Sequence, residues 1–180
     1  GPEIRRLVRR NIQASVRAVL EHGLLIWAGA ERLKRIIRVE GQEHLDDNMG
    51  APLILFAPHF IGLDMAGSRL AMMGRSACFY APVRNSVANH YLRYLRSRFN
   101  QPILVSRHEG TIRSMIKTIR SGLPFLYVPD QDFGRREAIF VPFFGIPAAT
   151  FPALSILVKL TGAKVVPVVA RQLPGGQGYL

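Results

Sequence analysis

Leu53-Ile-Leu-Phe-Ala-Pro-His-Phe-Ile-Gly-Leu-Asp64 is a short apolar run that breaks at a proline and delivers a histidine, followed five positions later by an aspartate. Leu53–Ala57 has the length of a buried strand, and Pro58, which lacks an N–H and holds Ala57 extended, ends its ladder. His59 therefore sits at the C-terminal mouth of a strand. Gly62 permits a sharp turn, and from Leu63 to Met73 apolar residues recur at helical spacing, which puts Asp64 in the first turn of a following helix. Both side chains can then face one crevice. A neutral imidazole with a pKa near ~6.5 can take a proton from a hydroxyl, and a nearby carboxylate fixes its tautomer and steadies the imidazolium. A histidine at a strand end is also often a plain hydrogen-bonding residue, so the pair gains meaning only from its surroundings.

Those surroundings repeat the pattern. Ala77–Ala81 reads as a second strand closed by Pro82, with Arg84 just beyond, and Phe125–Val128 as another closed by Pro129, with Asp130-Gln131-Asp132 at its mouth. Between them, Ser86 can cap a helix through Phe99 whose stripe is Val87, Tyr91, Leu92, Leu95 and Phe99, leaving Arg93, Arg96 and Arg98 on or beside its exposed flank. Ile103–Val105 is a short strand. Ile112, Met115, Ile116 and Ile119 mark a helix stopped at Gly122. Ile139–Phe144 reads as an extended segment turning at Gly145, Phe151–Thr161 as a helix, Lys164–Ala170 as a final strand, and Val39–Asn48 as a polar connection that can open with a short strand. Alternating strands and helices predict a single α/β domain over residues 1–180, with a central, largely parallel or mixed sheet flanked by helices. Ligands in such folds bind beyond the strands' carboxyl ends, where His59, Arg84 and Asp130 are all expected.

The 180 residues suffice for one domain with a real core. Lysine and arginine outnumber aspartate and glutamate 24 to 12, a formal charge of +12, which favours a polyanionic partner. Nucleic acid is disfavoured, because no aromatic-rich RNA motif, zinc-ligand spacing or glycine-rich phosphate loop is present. Cys78 is the only cysteine, so an internal disulfide and a cysteine-cluster metal site are excluded, and its neighbours Ala77 and Phe79 suggest an inert buried thiol. No apolar stretch reaches the ~20 residues needed to span a bilayer. Ile4, Leu7, Val8, Ile12, Val16, Val19, Leu20, Leu24 and Trp27 trace one stripe of an N-terminal helix, with Arg5, Arg6, Arg9, Arg10 and Arg17 mostly off it and Gly23 able to bend or end it. Two readings stand side by side: a core-packing helix with a solvated basic face, or an amphipathic segment resting on anionic lipid.

With these residues in hand, the chain resembles the lysophospholipid acyltransferase superfamily and, within it, the bacterial late lipid A acyltransferases. His59-Phe-Ile-Gly-Leu-Asp64 fits the His-x4-Asp/Glu motif, Val128-Pro-Asp-Gln-Asp-Phe-Gly134 a later aspartate block, and Val141-Pro-Phe-Phe-Gly-Ile-Pro-Ala-Ala-Thr150 the segment after it. The first motif is shared with glycerolipid acyltransferases, whereas the later two blocks, in that order and at those distances, are far more specific to the lipid A branch. Family members usually begin with a membrane-spanning helix and continue past the point reached by Tyr179-Leu180, so this chain is expected to be part of a longer protein. Leu173–Gly178 looks like a turn whose second strand is cut short.

The resemblance implies transfer of an acyl chain from an acyl carrier protein thioester, or acyl-CoA, to a hydroxyl of a phosphorylated glucosamine lipid, with no resident cofactor or metal. His59 would act as base and Asp64 would orient its ring. Arg84 and Arg98 would bind phosphate or carboxylate groups of the acceptor. Asp130 and Asp132 would orient those arginines or the sugar hydroxyls, or else simply cap their turn. Phe143 and Phe144 would line an acyl groove or belong to the core. The implied partners are acyl carrier protein, the glycolipid and an anionic membrane surface, at the cytoplasmic face of a bacterial inner membrane. No Gly-x-Ser-x-Gly elbow exists, which disfavours a covalent acyl-enzyme. Other readings are an enzyme of the same superfamily acting on a glycosylated phosphoinositide, aminolipid or lysophospholipid, and a non-catalytic membrane-docking domain.

Overall fold

The computed structural model describes residues 1–106, 112–130 and 138–180. Its centre is β1 (Leu53–Phe56), whose unbroken apolar sequence reflects burial on both faces: Leu53, Ile54 and Leu55 are all buried. β1 lies between β4 (Phe125–Tyr127) and β7 (Lys164–Pro167), and β2 (Ala77–Tyr80) and β3 (Ile103–Ser106) extend the sheet in the order β3-β2-β4-β1-β7. Every pairing is parallel. All the strands therefore end at one edge, as the repeated strand–proline units predict.

Helices cover both faces. On one side α6 (Ile112–Arg120) and α7 (Ala153–Thr161) pack Ile119, Ala153 and Leu157 against Ile54, Phe125 and Tyr127. On the other, Met65 of α4 (Leu63–Met73) and Leu95 of α5 (Ser86–Ser97) close over a cluster with Leu25, Leu33 and Tyr179. Asn85, rather than Ser86, caps α5, accepting the backbone N–H of Ala88 at 2.9 Å. The polar connection holds a short helix, α3 (Glu43–Asp46), and no strand opens it: Ile37, at the end of α2 (Ala30–Ile36), makes only an isolated parallel bridge to Tyr179. The final strand stops at Pro167, three residues short of its expected end, by the same proline logic as the others.

Two segments depart from the simplest sequence reading. α1 (Pro2–Trp27) runs unbroken through Gly23, yet its apolar stripe does not enter the core: Ile4, Leu7, Val8, Ile12, Val16, Val19, Leu20 and Trp27 are all exposed, and only Leu25 is buried. Of that stripe Leu24 alone packs, partly buried, against the core; the rest of it stays open, although mid-helix groups off the stripe also bond the domain, the Ala14 carbonyl with Gln172 and Arg17 with the Leu173 carbonyl. After β4 the chain forms a separate antiparallel hairpin, β5 (Ile139–Phe143) and β6 (Ile146–Thr150). Phe144 and Gly145 at its tip have φ of 50° and 78°, the left-handed pair that a two-residue turn requires. Pro142 faces Pro147 one pair from the turn, where the alternation of an antiparallel ladder leaves both nitrogens outside the hydrogen bonding. Phe143 and Phe144 are exposed, so they are not core residues.

Gly62 positions the site loop. It has φ 103°, and a Cβ there would lie 2.7 Å from the Tyr179 ring, so only glycine allows the chain to turn from β1 into α4 against that buried side chain. Tyr179 is itself fixed by its hydroxyl, which donates to Glu21 Oε2 on α1 at 2.5 Å and accepts from Gln172 at 3.0 Å.

Candidate active site

The parallel register puts Phe56 of β1 beside Tyr127 of β4. Continuing each strand three residues, through Pro58 and Pro129, brings His59 level with Asp130. The two side chains meet there: His59 Nδ1 is 2.7 Å from Asp130 Oδ1, and the His59 backbone N–H donates to Asp130 Oδ2, also at 2.7 Å. Burial alone would push the Asp130 carboxyl up, but the backbone and ring bonds from His59 hold it below its ordinary value. An ionised carboxylate can only accept, so Nδ1 carries the proton and Nε2 is the basic nitrogen of the neutral ring. Both side chains remain partly open to solvent.

Asp64 occupies the first turn of α4 as predicted and lines the same crevice as His59. Its carboxylate is engaged elsewhere: Oδ1 accepts Arg96 Nε and Nη2, each at 3.1 Å, and Oδ2 lies 3.4 Å from His22 Nε2. Burial raises the Asp64 carboxyl, and His22 and Arg96 outweigh that effect, leaving it lowered overall. Among the described residues, then, the carboxylate on the His59 ring is Asp130, 71 positions away in sequence, rather than the aspartate five positions on. In the structure Asp64 is held with Arg96 and His22 in a polar cluster that joins α1, α4 and α5.

The predicted arginines separate. Arg84 is exposed in the loop after β2, beyond the same sheet edge as His59. Arg98 donates to Leu25 O at 2.5 Å and stacks its guanidinium over the Phe99 ring at 5.0 Å, which ties α5 to the end of α1 and away from the crevice. Among the described residues the arginine that lines the crevice is Arg96, treated by helical spacing as a flank residue. Its signal was its place one position after Leu95, the most buried residue of α5. Asp132 lies outside the described residues.

The crevice, about 250 Å³, runs beneath α4 and α5. At one end it is lined by His59, Ala81 and Val128, and at the other by Ser76 and Pro102, at the start of β2 and β3. A four-residue strand spans about 13 Å, so the crevice follows the full length of β2. Its walls include Leu104 and Leu126, making an apolar channel that opens at an imidazole. Cys78 also faces it, and burial pushes that thiol up to about 11. Among the described residues no three His, Cys, Asp or Glu side chains gather to hold a metal, and no helix is long and apolar enough to cross a membrane.

Residues 2–180 match the family model described as bacterial lipid A biosynthesis acyltransferase. The chain is 29% identical over 180 residues to the lipid A biosynthesis lauroyltransferase of Escherichia coli K12, covering 98% of this chain and 58% of that protein. It is 34% identical over 134 residues to a lipid A biosynthesis acyltransferase of Haemophilus influenzae, covering 73% and 42% respectively. With the E. coli K12 lipid A biosynthesis myristoyltransferase it shares 30% over 143 residues, 78% and 44%. The chain thus spans about half the length of the curated relatives it matches.

Proposed function

The chain belongs to the bacterial lipid A biosynthesis acyltransferase family, and from that premise we propose that the protein carrying it moves a fatty acyl chain from an acyl carrier protein thioester to a hydroxyl of a lipid A precursor at the cytoplasmic face of the inner membrane. The observation that carries this reading is His59 standing at the open end of an apolar channel with its Nδ1 proton held by Asp130. The donor's alkyl chain lies in the channel, its thioester at the mouth. His59 Nε2 takes the proton of the acceptor hydroxyl as the oxygen attacks the thioester carbonyl; the tetrahedral intermediate then collapses, the C–S bond breaks, and the thiolate leaves with the proton from the imidazolium. Asp130 stabilises that imidazolium, and the Asp64–Arg96–His22 cluster fixes the channel wall. Arg84, exposed beyond β2, binds the anionic groups of the acceptor, and no resident cofactor or metal takes part.

α1 supports a membrane seat. Its apolar stripe is open to solvent while Arg5, Arg6, Arg9 and Arg10 are exposed beside it, the distribution of a helix lying in an anionic lipid interface. The +12 charge also suits an acidic donor protein.

The test is a two-way screen of the full-length protein: acyl carrier protein or coenzyme A thioesters as donors, a tetra-acylated lipid A precursor or lysophospholipid as acceptors, and mass spectrometry to find one added chain. Transfer confined to the carrier-protein donor and the lipid A precursor supports the reading. Transfer to lysophospholipid alone moves the acceptor to another lipid class.

A further inference from the structure

α4 presents Asp64, Gly67 and Ser68 to the crevice already described, and Ala66, Arg69, Leu70 and Met73 to a second groove of about 510 Å³ at the β1–β7 side of the sheet. That volume is within the ~300–1,000 Å³ of small-molecule sites. The floor is aliphatic, built from Leu45, Leu55, Leu70, Met73 and Val166, and the rim carries Arg38, Arg69 and Arg171. Arg69 Nε is buried and has no hydrogen-bond partner among the described residues, a costly condition for a charged group unless an acceptor arrives. No carboxylate among the described residues lies within ion-pair distance of any of the three guanidiniums. Among the described residues Glu40 supplies the one acidic side chain of the lining.

A cationic rim over an apolar floor recognises an amphiphile with an oxyanion at one end, and forked guanidiniums suit phosphate or carboxylate oxygens. α1 lies against the segment that follows Arg171 of the rim: Arg17 Nη1 donates to Leu173 O at 3.3 Å, and Gln172 Nε2 to Ala14 O at 3.1 Å. The geometry points to a second lipid site, separate from the catalytic crevice, that holds one anionic-headed alkyl lipid with its headgroup on Arg38, Arg69 and Arg171 and its chain along α4. The membrane as source of that lipid rests on the seat proposed for α1; the groove does not.

The experiment uses full-length protein and a dodecyl phosphate bearing a terminal diazirine, supplied as monomer without vesicles, with photolabelled peptides mapped by mass spectrometry. Labelling is expected on peptides carrying Leu45, Leu70 or Met73. It should be competed by plain dodecyl phosphate but not by inorganic phosphate or dodecyltrimethylammonium. Arg69→Ala should reduce it roughly tenfold or more, the scale of one lost charge-assisted contact, and the rim variant Arg171→Glu should do the same in a protein whose melting curve is unchanged. His59→Ala should leave it intact, so loss of catalysis and loss of this site are read separately. Labelling confined to the crevice residues Leu104 and Leu126, equal competition by the cationic amphiphile or by inorganic phosphate, or no labelling because another part of the full-length chain fills the groove, would each overturn the proposal.

Discussion

His59 Nδ1 and Asp130 Oδ1 lie 2.7 Å apart because β1 and β4 are parallel neighbours in a register that stands Phe56 beside Tyr127. The site's histidine and the carboxylate that holds it thus come from two different strand ends, and the sheet itself sets their spacing.

Asp130→Asn is expected to lower the acyl-transfer kcat by about 10²–10⁴-fold, because an amide no longer enforces the Nδ1–H tautomer or steadies the imidazolium. Asp64→Asn is expected to lose less. Steady-state rates of the two variants, each checked for a native melting curve, decide the order; a larger loss in Asp64→Asn would return the orienting role to the five-residue motif.

The Asp64 cluster has a pH signature. The folded carboxyl is lowered by His22 and Arg96 despite its burial, so the stability it contributes is present above the unfolded carboxylate pKa and is lost as pH falls through the lower folded value. Arg96→Ala removes one of the two partners, raises the folded pKa and moves that acid loss to higher pH. Melting temperatures from pH 3 to 7 should show the variant weakened by about 1–2 kcal/mol near neutrality, a charge-assisted bond discounted for partial exposure. A variant whose acid limb coincides with wild type would remove Arg96 from the cluster.

Much of this architecture is legible in the sequence. The strand–proline units place His59, Arg84 and Asp130 on one edge correctly, since each proline stops a buried apolar run. The partner of His59 is harder, because local spacing favours Asp64 while the register of β1 against β4 is a tertiary fact. The α1 stripe shows the same limit: periodicity states which residues share a face, not what that face meets. Strand β6 is hidden for another reason. Pro147 argues against a strand unless its register is known, and its missing N–H is harmless because the pair it forms with Pro142 is a non-hydrogen-bonded one.

Cys78 faces the crevice, but its thiol is pushed up to about 11 by burial. At pH 7.5 it should resist iodoacetamide in the folded protein and react on unfolding, with alkylation rising only as pH approaches 11. Cys78→Ala is expected to keep transfer activity. Rapid alkylation at neutral pH together with loss of activity would reopen a covalent route.

A peptide of residues 2–27 should gain helix on vesicles containing anionic lipid and much less on neutral ones, with binding weakened by salt. Replacing Ile12 and Leu20 with glutamate should reduce partitioning by more than about tenfold, since each buried aliphatic side chain contributes ~1.5–3 kcal/mol. Circular dichroism during vesicle titration reads both effects. Equal binding by the substituted peptide would detach the exposed stripe from any membrane role.

The measurement closest to the central claim is single-turnover transfer by full-length wild type and His59→Ala, from acyl carrier protein thioester to the tetra-acylated lipid A precursor, followed by mass spectrometry. The account requires one added acyl chain with wild type and a rate at least about 10²-fold lower in a variant that still folds and binds donor. Transfer by His59→Ala at the wild-type rate would contradict it.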